Sequence, residues 1–167
     1  HMQTSNAMLC GVEKTKDPEP GTPLWNYVKG IEELTGVKGT VNKFLANEHF
    51  KRAADCGYSP AIKSLADSYY SGDGVEKNIQ KATELYKEAA DMGNGAAQFN
   101  LGIIYLKGYD GVPDYKHAFY YLCLATINSD LDEVAQEAAI YRDEALKKIT
   151  SQEAREVYMM IGKSNKK

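Results

Sequence analysis

Few residues of this chain combine a reactive type with an informative spacing. Apart from His1, the histidines are His49 and His117, each a potential metal ligand or general base. Either role needs partners, and neither histidine shares a cluster with cysteine. Both fall at helix positions that differ between units of the repeat described below, which reads as surface placement. The cysteines are Cys10, Cys56 and Cys123. An odd count without a Cys-x-x-Cys pair does not suggest a disulfide scaffold, so these read as buried or idle thiols. Gly72-x-Gly74 and Gly108-x-x-Gly111 resemble phosphate-cradling turns only superficially. No strand pattern precedes them and no Lys-Ser or Lys-Thr follows, so the glycines read as turn residues. Glu32-Glu33 and Asp132-Glu133 are adjacent in sequence and point to different parts of a helix surface, which suits caps and solvated faces better than paired catalysis. No Gly-x-Ser-x-Gly or His-Glu-x-x-His motif is present. These features exclude no chemistry outright, but they point to a non-enzyme with no cofactor and no metal.

The elements that would position these residues come in a repeat. Ala61, Leu65, Tyr69 and Gly72 recur 36 positions later as Ala97, Leu101, Tyr105 and Gly108. Ala46-Asn47-Glu48-His49-Phe50 through Gly57 aligns with Ala82 through Gly93 at the same offset, and Gly74-Val75 returns as Gly111-Val112 after a one-residue shift. Within each unit, Ala, Leu, a small residue and Tyr recur at helical spacing on one face, and a second stretch such as Ala82, Leu85, Tyr86 and Ala89 does the same. The pattern predicts an all-α array of helix pairs. Ser59 before Pro60, Asn78 and Asp114 read as helix starts, and 130–133 and 150–153 as capping boxes.

The ends are less regular. Residues 1–7 read as a cloning remnant and 8–22 as a flexible, Pro- and Lys-rich segment. The repeat domain is expected over 23–161, in units 23–57, 58–93 and 94–129 with a C-terminal capping pair at 130–161. Residues 162–167 are expected to form a flexible tail.

A chain of 167 residues with a formal net charge of −3 is long enough for one packed core and carries no large basic patch, so nucleic acid is not an expected partner. No apolar run approaches the roughly 20 residues of a membrane helix. A monomer or weak homodimer is expected.

Ala97-Gln98-x-Asn100-Leu101-Gly102-x-x-Tyr105-x-x-Gly108-x-x-Gly111-Val112, followed by Asp114 and Ala118, resembles the Sel1-like repeat, a relative of the tetratricopeptide repeat. Gly72-x-Gly74-Val75, Lys81-Ala82 and Tyr86-x-x-Ala89-Ala90-x-x-Gly93 carry the same signature one unit earlier. The resemblance implies a right-handed α/α superhelix (solenoid) of about three and a half units, bacterial in type. It also implies a non-catalytic scaffold that binds a partner protein or peptide on its concave face. Helical spacing puts Lys63, Asp67, Tyr70, Phe99, Ile103, Leu106 and Tyr141 on that face, with Glu137 and Glu144 extending it. A bacterial immunity protein or host-directed effector would use the same surface. The rival reading is a β-lactam- or peptidoglycan-interacting enzyme or cell-wall binder. It rests on relatives with a recurring cysteine pair in each unit, which Cys56 and Cys123 do not reproduce.

Overall fold

The computed structural model describes residues 18–109 and 111–164. Residues 1–17, which hold the expected remnant, Cys10 and most of the segment expected to be flexible, and 165–167 lie outside them. Among the described residues there are eight helices and no strand: α1 (Pro23–Thr35), α2 (Lys43–Asp55), α3 (Ser59–Ser71), α4 (Ile79–Asp91), α5 (Gly95–Lys107), α6 (Tyr115–Asn128), α7 (Asp132–Leu146) and α8 (Ser151–Ser164). The all-α expectation holds. The last helix runs through Ser164, into the stretch expected to be a tail.

Local sequence explains most of the helix ends. Asn42, Asn94 and Asp114 each accept a hydrogen bond from the backbone N–H three residues on, at 2.9–3.0 Å, and Asn78 does the same for Lys81 at 3.0 Å. Thr150 and Glu153 form a reciprocal box: Glu153 N–H donates to Thr150 Oγ1 at 3.1 Å, and Thr150 N–H donates to Glu153 Oε1 at 3.0 Å. Helices α1, α3 and α5 end on glycines in the left-handed conformation, Gly36, Gly72 and Gly108.

Two expected caps do not form. Helix α3 begins with Ser59 already helical and is capped by Tyr58, whose extended backbone leads into Ser59-Pro60 without a side-chain bond. Helix α7 begins at Asp132 with Leu131 as its cap. The Ser129 hydroxyl closes the preceding turn, accepting from Leu131 N–H at 3.4 Å and donating to Leu131 O at 3.1 Å. The 130–133 box therefore has no role.

The chain forms two compact units, divided within α4 after Leu85. In the first, Ala46, Phe50 and Leu65 form a buried cluster against which Tyr27, Ile31, Leu34 and Tyr69 pack. In the second, Ala118, Phe119, Leu122, Ala125, Ala138, Ala145 and Val157 anchor a larger one. Both units use the same device for close helix packing. A Cβ added at Gly30 would lie 2.4 Å from the Phe50 ring, and one added at Gly102 would lie 2.7 Å from Leu122 Cγ. A glycine in the first helix of a pair makes room for a large residue in the second.

Buried polar groups tie the elements further. Asn47 donates to Asp73 O at 2.8 Å and accepts from the Ser68 hydroxyl at 2.6 Å, linking α2, α3 and the loop after α3. In the second unit Gln98 donates to Ala90 O at 3.0 Å and accepts from Asn128 Nδ2 at 3.2 Å. Such bonds satisfy groups whose burial would otherwise be costly.

Candidate protein-interaction face

The buried side of α5 carries Ala97, Gln98, Leu101, Gly102 and Ile104. The remaining side, by helical register, presents Ala96, Phe99, Ile103 and Lys107; the first three are half-buried and Lys107 is exposed. Helix α7 packs beside α5, and the Phe99 and Tyr141 rings meet at 6.2 Å between centroids with planes at 55°. Phe99, Ile103 and Tyr141 all rest on the core cluster of the second unit while keeping part of their surface accessible. The result is an aromatic–aliphatic floor built from two helices. Glu137, Ile140 and Glu144 of α7 are exposed next to Tyr141 in helical register, Ile140 at 68%.

Leu106, expected beside Phe99 and Ile103, turns inward instead. It is 8% exposed and belongs to the core cluster, because position 106 lies one turn beyond buried Gly102. Lys63, Asp67 and Tyr70 belong to the first unit, on the side of α3 away from buried Ala61, Ile62 and Leu65. Lys63 Nζ meets Asp67 Oδ2 at 2.8 Å, one helical turn apart, and Tyr70 is 37% exposed.

The residues with reactive chemistry are occupied structurally. His117 sits at the start of α6, where its Nδ1 meets Asp114 Oδ2 at 2.7 Å. The Asn26 amide donates to the carbonyls of Gly21 and Thr22, so its Oδ1 is the acceptor and His49 Nδ1 is the donor across 3.1 Å. Trp25 packs edge-on against the His49 ring at 5.8 Å. Burial, followed by the positive charge of Arg52, lowers the His49 pKa. Cys123 is a buried free thiol whose pKa burial pushes up to about 11, which leaves it protonated and poorly nucleophilic. Cys56 is disulfide-bonded, correcting its reading as an idle thiol. Among the described residues no group of three or more His, Cys, Asp or Glu side chains is placed to hold a metal ion. No helix among them is long and apolar enough to cross a membrane.

One feature was not singled out from the sequence, a cleft of about 530 Å³ in the second unit. Tyr105, Tyr109, Pro113, Tyr115, Lys116 and Lys148 help line it. Its only advance signal was the extra residue in the later Gly-Val turn. Lys116 and Lys148 share its lining with Asp114 and Glu153, so the cleft has no strong charge bias of its own.

The repeated helix pairs have counterparts in known proteins. The Sel1 repeat model matches residues 27–58, 59–94 and 95–130. This chain belongs to the Sel1 repeat family. Two curated relatives from Arabidopsis thaliana, the ERAD-associated E3 ubiquitin-protein ligase components HRD3B and HRD3A, are each 37% identical over 62 residues. That stretch is 37% of this chain but only 10% and 9% of theirs. Among solved structures, a Sel1 repeat protein from Oxalobacter formigenes is similar over 72% of this chain and 48% of its own, with 25% identity and a TM-score of 0.64. A protective antigen of uropathogenic Escherichia coli with an SLR fold is similar over 99% of this chain and 37% of its own, with 23% identity and a TM-score of 0.71. The chain thus spans less than half of each of these proteins, and the Sel1 likeness fixes its fold class.

Proposed function

We propose that this chain is a non-catalytic interaction module that binds a partner protein or peptide on the open faces of its first-of-pair helices. The observation that carries the reading is the Phe99–Tyr141 pair with Ile103, an apolar floor that two helices build and leave partly accessible. Aromatic anchors of this kind supply much of the energy at protein interfaces. The two plant relatives are by name E3 ubiquitin-protein ligase components, which supports a role within assemblies.

The test is affinity capture from a lysate of the source organism, comparing wild type with Phe99→Ala/Ile103→Asp, verified as folded by circular dichroism. Capture of a defined protein by wild type, reduced about tenfold or more in the variant as for loss of an interface anchor, is the expected result. Equal capture by both proteins would place the contact elsewhere and defeat the assignment.

A further inference from the structure

The open face of the second unit also carries charge. Helix α7 carries Asp132, Glu133, Glu137, Asp143 and Glu144 against a single internal base, Arg142. Arg142 is held by Asp143, with Nη2 at 3.1 Å from Oδ1. Glu133, Glu137 and Glu144 are spaced by four and seven residues and so share one stripe with Ile140. All four are exposed, and among the described residues no ion pair engages the three glutamates. The stripe lies next to Tyr141 in register and therefore borders the aromatic floor.

Helix-end electrostatics accounts for Asp132 and Glu133, which sit in the first turn and complement the helix dipole. It does not account for Glu137 in mid-helix or for Glu144 near the far end, where a carboxylate opposes the dipole. Lys107 closes α5 and Lys147 follows the last residue of α7, so both stand at the C-terminal ends of their helices. Lys147 follows Glu144 by less than a turn and stands far from Glu133 and Glu137 along the helix. On α3 the corresponding face satisfies its own charges through Lys63 and Asp67.

We propose that the floor of Phe99, Ile103 and Tyr141, bordered by Glu133, Glu137 and Glu144, docks a cationic amphipathic segment of a partner protein. An apolar side chain of the segment covers the floor, and its lysines or arginines face the carboxylates. Nucleic acid and anionic lipid surfaces carry the wrong sign for this rim. The inference rests on the reading of this face as a binding surface and adds the chemistry of what it binds.

The experiment is selection of a random linear peptide library displayed on phage against the full chain, with counter-selection on the folded Phe99→Ala/Ile103→Asp variant. Face-dependent peptides are then synthesised and titrated by fluorescence anisotropy. The expected face-dependent binders carry a net positive charge and an apolar anchor. They weaken about 5- to 10-fold on Glu137→Gln/Glu144→Gln, which leaves the floor intact, and weaken further as salt rises. Face-dependent binders that are neutral or acidic and indifferent to that variant would overturn the cationic partner while leaving the binding face in place. Peptides retained equally by the counter-selection variant would overturn the face itself, and this inference with it.

Discussion

Three positions of α3 and three of α5 stand 36 residues apart and have diverged in chemistry. Lys63, Asp67 and Tyr70 in the first unit correspond to Phe99, Ile103 and Leu106 in the second. The first set closes an ion pair on its own surface and leaves a tyrosine half-open to solvent. The second set lays an aromatic ring against Tyr141 of a neighbouring helix and sends its last member into the core. The landmark positions beside them hold to type: Leu65 and Leu101 are both buried, as are Ala61 and Ala97. Stacking therefore constrains the landmarks, and the other positions are free to diverge in surface chemistry from one unit to the next.

The strongest way to break this comparison is to damage the landmarks. Leu101 has no exposed surface and Leu65 retains 8%. Leu101→Ala is expected to cost about 2–5 kcal/mol and Leu65→Ala to fall toward the lower end of that range. Chemical denaturation of both variants measures this. If Leu65→Ala costs more than Leu101→Ala, the first unit, not the second, holds the more tightly packed core.

The next effect concerns one slot filled in two ways, Ala66 in α3 and Gly102 in α5. A methyl at position 102 would lie 2.7 Å from Leu122 Cγ. Gly102→Ala is expected to destabilise by about 1–2 kcal/mol, because overpacking exceeds the gain in helix propensity. Ala66→Gly is expected to cost about 1 kcal/mol through lost propensity. Opposite substitutions at equivalent positions should thus both lower Tm in calorimetry. A rise in Tm for Gly102→Ala would show that Leu122 has room to give way.

The same landmarks explain what the sequence made legible. Apolar periodicity and the glycine-ended turns located the helix pairs, because burial and left-handed caps act on residues close in sequence. Asn78, Asp114 and the Thr150–Glu153 box were readable for the same reason. Ser59 and Asp130 were not, since a serine inside the first turn and a serine-closed turn at Ser129 satisfy the backbone by routes the motif does not encode. On the candidate face, Phe99, Ile103 and Tyr141 lay where the helical register puts them. Leu106 did not: it lies one turn beyond Gly102 and joins a cluster built with side chains of α6, α7 and α8, the last two well beyond its own unit in sequence. The Asn26–His49 bond and the charge isolation of the α7 glutamates likewise depend on which elements pack together, which a single repeat pattern does not specify.

The smallest effect sharpens the comparison most directly, because it sets the two faces on one scale. Double-mutant cycles for Phe99/Tyr141 and for Lys63/Asp67 measure the coupling within each pair. The ring pair is expected to couple by about 0.5–1.5 kcal/mol, an interaction between packed aromatics that added salt leaves unchanged. The ion pair is part-exposed and is expected to couple by about 0.2–1 kcal/mol, most of it lost at high ionic strength. A cycle is needed here because Asp67 has interactions beyond Lys63, which a single Asp67→Ala would also remove. If the ion pair couples more strongly than the rings, and keeps that coupling in salt, the face of α3 is the more rigid of the two. The aromatic floor would then be loosely held in the free protein, and a partner would order it on binding instead of meeting a preformed surface.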